Sequence, residues 1–152
     1  MRKRPSSRLL VLNEREEVLL FRFQHDEGPL AGEVFWSTPG GGVETGENHE
    51  EAARRELLEE VGLQVEHLGS EIAQRTAVFA LPSGEMVEAD ERYFVVHAGL
   101  FSVDEANWSQ QERQVIAAHR WWSHAELRSG AEQVWPENLA EMLVSAGVWS
   151  VG

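Results

Sequence analysis

The chain has 152 residues, 42% of them apolar and 26% charged, with no cysteine and a formal net charge of −13. A chain of this size fits one domain, 1–152, with room for a sizeable core, and the missing thiols exclude disulfides, thiolate metal sites and a cysteine nucleophile. The acidity argues against polymeric nucleic acid and anionic membranes as partners, but allows a small phosphate compound if divalent cations bind first.

In chain order, the basic start Arg2-Lys-Arg4 is not followed by a signal-like apolar run. No stretch approaches the roughly 18 apolar residues of a membrane span, so the expected location is the cytoplasm. Residues 7–12 and 18–23 are short apolar runs around a polar turn and predict a β-hairpin. A loop holding Gly28, Pro29 and Gly32 follows, then a short strand, Val34-Phe-Trp36, running into Pro39-Gly-Gly-Gly42. The segment from about Asn48 to Val61 lacks Gly and Pro and is rich in Ala, Leu, Glu and Arg, which predicts a helix. Thr45 or Asn48 can cap it, Gly62 stands where it would stop, and Ala53, Leu57 and Val61 give it an apolar stripe. Residues 72–81 and 93–101 read as strands joined across Pro82-Ser-Gly84. Residues 104–117 read as loop with a short helical piece, 118–122 as a strand, and 124–127 and 137–144 as helices. Strands, a helix, more strands and terminal helices suggest a mixed sheet with helices packed on it.

Glu56, Glu59 and Glu60 stand at i, i+3 and i+4, a spacing that sets three carboxylates on one helical face. Their mutual repulsion, a few tenths of a kcal/mol per pair on a bare helix, would be reversed by a cation. Mg²⁺ prefers such hard oxygen ligands. Consecutive glycines before the helix let the backbone approach a ligand closely. Either feature alone has an ordinary structural explanation, a solvated charged face or a turn. Their combination in one window carries the argument.

That window, Gly41 to Leu63, reads Gly, five residues, Glu47, seven residues, Arg55-Glu56-Leu57, one residue, Glu59-Glu60, one residue, Gly62-Leu63. It resembles the Nudix box without a mismatch. The resemblance implies an α/β fold, an α/β/α sandwich with a mixed sheet between helices. It implies Mg²⁺-dependent hydrolysis (Mn²⁺ able to substitute) of a phosphoanhydride bond in a small nucleotide-like substrate. Carried over position by position, Glu56, Glu59, Glu60 and the carbonyl of Gly40 look like metal ligands. Glu47 and Arg55 look like a pair that orients the helix, and Leu57 and Leu63 like core. Glu59 is the first candidate for the base; Glu112, in the stretch before the strand ending Trp121-Trp122, is the other.

Arg22, Arg75 and Arg92 lie in or beside predicted strands and are candidate phosphate clamps, with salt-bridged strand positions as the alternative. Trp36, Phe35 and Phe79 can stack a base or fill the core. The histidines show no metal-ligand spacing. Signatures that mark ADP-ribose, dinucleoside polyphosphate, NADH and coenzyme A subgroups are absent or displaced, Pro82 coming slightly late for the first. Nucleoside di- or triphosphates, or a nucleoside diphosphate linked to another moiety, are the expected substrates. A related isomerase chemistry needs a cysteine this chain lacks, and messenger-RNA decapping needs a basic surface. A non-catalytic nucleotide-sensing module is the alternative from another class, although such modules usually lose box carboxylates. Trp135 and Trp149 fit either a homodimer interface or packing on the sheet.

Overall fold

The computed structural model describes residues 1–81 and 83–150; Pro82, expected in a strand connection, lies outside the described residues. Strand β1 (Arg2–Asn13) turns into β2 (Val18–Gln24) through a tight loop. The Asn13 side chain organises that loop, accepting hydrogen bonds from the amides of Arg15 and Glu17 at 3.0 and 2.9 Å. The hairpin expected at 7–12 and 18–23 is present, but its strands pair at Leu12 and Val18 and then part. On its other edge β1 runs parallel to β6 (Met86–Gly99) along its whole length, from Arg2 opposite Val87 to Asn13 opposite Gly99. β2 pairs instead with β3 (Val34–Ser37) and β7 (Ile116–Trp122). The place beside β1 that β2 has left is taken by β4 (Gly40–Gly42), antiparallel to Ser6–Arg8.

The remaining strands complete a mixed, eight-stranded sheet in the order β5-β6-β1-β2-β3-β8, where β5 is Ala73–Ala80 and β8 is Val134–Trp135. Both faces of β1 and β2 are buried near the hairpin, because alternate side chains serve two cores. Leu9, Val11, Leu19 and Phe21 pack under helix α1 (His49–Glu56) and the turn that follows it. Leu10, Leu12, Val18 and Leu20 pack under α4 (Leu139–Ser145), with Trp122 and Trp149. Short helices α2 (Gln110–Val115) and α3 (His124–Arg128) flank β7. The expected α/β sandwich, helices on both faces of a mixed sheet, is the fold observed. No helix among the described residues is long and apolar enough to cross a membrane.

Two differences from the sequence reading have a physical cause. β6 begins at Met86, seven residues before the expected strand at 93, because Val87, Ala89, Glu91 and Tyr93 are buried in strict alternation with half-exposed charged residues. A buried glutamate among acidic neighbours hides that period in the sequence. β8 has only two residues, held by parallel pairing of Val134 with Trp36, and carries no periodic signal of its own.

Candidate active site

Helix α1 starts at Asn48, whose side chain accepts from the Glu51 amide at 2.8 Å while Glu51 reciprocates on the Asn48 amide at 2.9 Å. Of the two expected caps, Asn48 is the one used. The α-helical repeat ends at Glu56, and Leu57–Val61 forms a wider, π-helical turn. The turn closes at Gly62, whose amide reaches back to the Leu57 carbonyl at 3.0 Å. Gly62 has φ of 85°, and a side chain there would also strike Asp104. Widened turns of this kind recur at functional sites because they re-aim side chains. Here Glu56 and Glu60 turn inward, 8% and 5% exposed, while the Glu59 side chain stays 44% exposed. The three box carboxylates therefore do not form one equivalent face, as a regular helix would have made them.

The third member of the inward cluster comes from elsewhere. Glu112 on α2 brings a carboxylate oxygen to Glu56 and Glu60 so that the three ligand atoms lie within 4.8 Å of one another. Ser109 caps α2, accepting from the Glu112 amide, and Glu112 returns a carboxylate oxygen to the Ser109 amide at 2.7 Å. This capping box restrains the Glu112 side chain. The segment before α2 is fastened to the π turn by two bonds to its end carbonyls. The Asp104 amide donates to Val61 at 2.9 Å and the Trp108 indole N–H to Glu60 at 2.6 Å. Trp108 also packs edge-on against Phe21.

Three carboxylates this close repel one another. Burial, followed by the charges of Glu56 and Glu112, pushes the Glu60 carboxyl well above the ordinary glutamate range. Desolvation and then Glu56 raise Glu59 as well. A hard divalent cation fits such an all-oxygen set and would relieve the repulsion.

The glycines of β4 decide how close the backbone comes. Gly40 has φ of 142°, and a Cβ there would lie 2.1 Å from the Ser7 carbonyl. Its amide donates to Glu60 at 3.5 Å. A Cβ on Gly41 would lie 2.6 Å from Glu56 Oε1. Arg55 ties this strand to the helix. It grips Glu47 through two bonds, at 2.8 and 3.0 Å, and donates to the Gly42 carbonyl at 2.9 Å. Its remaining nitrogen reaches Glu56 at 3.0 Å and Glu59 at 3.2 Å. The Glu47 pair comes first among the causes that raise the Arg55 pKa.

On the sheet face opposite α1, beyond the part covered by α4, lies a second charged group. Arg8 donates to the Thr38 carbonyl at 3.1 Å and to the buried Glu91 at 3.4 Å. Glu91 also meets Arg75 at 3.5 Å and accepts from the Tyr93 hydroxyl at 3.0 Å. Arg75 stands 5.9 Å from the Trp135 ring centre. Arg22 donates to Gln24 at 3.2 Å. Arg92 alternates to the other side of β6, where Glu71 and Asp90 hold it. Of the three arginines singled out from the sequence, Arg75 thus stands with Arg8, and Arg92 does not. Arg8, Glu91 and Trp108 carried no motif that marked them.

Aromatic candidates divide similarly. Trp36 is 7% exposed and packs against Trp122, while Phe35 stacks on Phe23. Trp149 is core, its indole N–H donating to the Glu16 carbonyl at 2.7 Å.

Comparison with known proteins adds the family. The model of the NUDIX domain matches residues 2–143. A MutT protein from Methanosarcina mazei Go1 is similar in structure, with a TM-score of 0.69 at 20% identity, over 97% of this chain and 93% of that one. A MutT NUDIX hydrolase from Burkholderia pseudomallei has a TM-score of 0.66 at 22% identity, over 92% and 96% of the two chains. An Ap4A hydrolase of C. elegans, solved as a binary complex, has a TM-score of 0.61 at 18% identity, over 95% of each. With a family match over nearly its whole length, the chain belongs to the NUDIX domain family and is a Nudix hydrolase.

Proposed function

We propose that the protein hydrolyses a phosphoanhydride bond of a nucleoside di- or triphosphate, or of a nucleoside diphosphate linked to another moiety, with Mg²⁺ as cofactor. The observation that carries this reading is the cluster of Glu56, Glu60 and Glu112, one ligand oxygen from each lying within 4.8 Å of the others. These three residues would hold the cation, with Gly40 beside them, and Mn²⁺ would substitute. The bound cation supplies charge neutralisation for the diphosphate and Lewis acidity.

The chain's own residues do the rest. Glu59 is half-exposed, and burial with Glu56 raises its affinity for a proton. It takes the proton of the attacking water, a role suited to a carboxylate tuned upward. Arg55 holds Glu59, Glu56 and Glu47 together, so the base and the cluster keep one geometry. Glu112 completes the cation site. The net charge of −13 leaves a small anion, screened by the cation, as the substrate in place of a nucleic acid polymer.

The test is hydrolysis of a panel of nucleoside triphosphates, nucleoside diphosphates, nucleotide sugars, ADP-ribose and dinucleoside polyphosphates, with Mg²⁺ and with EDTA. EDTA-sensitive turnover of a nucleotide is the expected result. No turnover, together with thermal stabilisation by a nucleotide, would replace the hydrolase reading of the site by a sensing one.

A further inference from the structure

The chain crosses from β3 to β4 through Thr38, Pro39 and Gly40, and each of the three is held by a different partner. The Arg8 side chain donates to the Thr38 carbonyl at 3.1 Å. The Leu9 amide donates to the Pro39 carbonyl at 2.9 Å. The Gly40 amide turns towards the carboxylate cluster and donates to Glu60 at 3.5 Å. Arg8 and Gly40 stand directly opposite each other in the pairing of β1 with β4. Because Gly40 has no side chain, the Arg8 stem lies against its backbone, where a Cβ would come within 3.0 Å of Arg8 Cδ. The crossing is therefore held by Arg8 on one face of the sheet and by Glu60 on the other.

Arg8 is itself fixed. Its guanidinium reaches Glu91 at 3.4 Å, and Glu91, 5% exposed, meets the Tyr93 hydroxyl at 3.0 Å and Arg75 at 3.5 Å. A buried carboxylate is costly without such partners, so these side chains hold together as one network. The planar guanidinium serves the Thr38 carbonyl and Glu91 at once, in one geometry, which a flexible ammonium does not reproduce. Its charge also reaches the cluster. Burial, Glu56 and Glu112 raise the Glu60 carboxyl, and Arg8 acts against them.

We propose that Arg8 is a positioning residue for the cation site. From the opposite face of the sheet it fixes Thr38, and with it the Gly40 backbone that stands beside Glu60, while Glu91 fixes Arg8 in turn. The inference rests on the cation-site reading above and deepens it. A positive charge so placed has two opposed effects on a divalent cation. Its field disfavours the cation, whereas its hydrogen bonds hold the backbone beside the cation. With positioning the larger effect, removal of Arg8 weakens Mg²⁺ binding; the loss of its charge alone would tighten it.

The experiment measures Mg²⁺ binding by calorimetry, without substrate, for wild type, for Arg8→Met, which keeps much of the stem, and for Arg8→Lys, which keeps the charge. Trp149→Phe, which loses the bond to Glu16 at the hairpin turn, controls for lowered stability. The Mg²⁺ concentration for half-maximal hydrolysis is measured alongside. Both Arg8 variants are expected to raise the Mg²⁺ dissociation constant about tenfold, as for the loss of one charge-assisted contact. Their Mg²⁺ requirement rises with it, and kcat at saturating Mg²⁺ falls less. Trp149→Phe lowers Tm and keeps the wild-type affinity. Unchanged or tighter binding in a folded Arg8→Met protein overturns the inference. So does wild-type affinity in Arg8→Lys, or a loss in Trp149→Phe as large as that in Arg8→Met. If Arg8→Met does not fold, Arg8→Lys decides alone. A wild type that binds Mg²⁺ but turns over nothing refutes the hydrolase reading, and calorimetry still decides the role of Arg8. A wild type that binds no Mg²⁺ refutes the cation site and the inference with it.

Discussion

The indole N–H of Trp108 donates to the main-chain carbonyl of Glu60 over 2.6 Å. A helix leaves its last carbonyls without partners, and this one belongs to the most deeply buried carboxylate of the site. The same bond anchors the segment leading to α2, and α2 carries Glu112. One contact therefore joins two parts of the carboxylate cluster that are about fifty residues apart in the chain.

Replacing Trp108 by Phe keeps the ring against Phe21 and removes the donor. An orphaned buried carbonyl costs about 1–3 kcal/mol, so Tm is expected to fall by several degrees at this chain length. The more telling readout is the Mg²⁺ concentration that gives half-maximal activity, which should rise severalfold as Glu112 loses its support. A Tm change with an unaltered metal requirement would show that the bond supports the fold alone.

Gly41→Ala introduces a Cβ 2.6 Å from Glu56 Oε1, closer than carbon and oxygen tolerate. Glu56 must move, and calorimetric Mg²⁺ binding is expected to weaken at least tenfold. Gly40→Ala adds backbone strain at φ 142° and a collision with the Ser7 carbonyl, so here Tm should fall as well. Wild-type metal affinity in Gly41→Ala would mean that Glu56 is free to shift without consequence.

Glu60 holds its proton more tightly in the folded protein than in the unfolded chain, whose ordinary value is 4.5. In EDTA, this group's contribution to stability is complete below that value and is lost as pH rises through the folded-state pKa. Glu60→Gln, which stays neutral, should raise Tm in EDTA relative to wild type, increasingly so towards alkaline pH. It should also abolish stabilisation by Mg²⁺. Equal Tm for the two proteins across the pH range would contradict the buried-carboxylate account. Glu47, Glu85, Asp90 and Glu126, held low by their hydrogen bonds, act in the opposite direction at acid pH, and the paired comparison cancels them.

Glu59→Gln and Glu112→Gln separate proton transfer from metal holding. Loss of a general base typically costs about 10²–10⁴ in rate, so Glu59→Gln should lose kcat on that scale with its Mg²⁺ requirement unchanged. Glu112→Gln should require more Mg²⁺ and regain much of its rate at saturation. The reversed pattern would exchange the two roles.

The helix and its chemistry were legible in the sequence because they are local. Asn48, the stripe of Ala53, Leu57 and Val61, and Gly62 lie within one short segment, and the box around them specifies the family. Composition alone excluded thiol chemistry and disfavoured polymeric nucleic acid. Tertiary structure decided which groups meet. The spacing of Glu56, Glu59 and Glu60 promised one face; Glu59 stays beside Glu56, sharing an Arg55 nitrogen with it, but more exposed, and Glu112 arrives from a distant helix held by Trp108. The arginines show the same division. Their side of the sheet depends on strand register, so Arg92 and Arg8, alike in sequence, end on opposite faces because Ser7 is aligned with Arg92 and Arg8 with Tyr93. The long-range pairing of β1 with β6 and with β4 sets that register, and no local pattern in the chain encodes it.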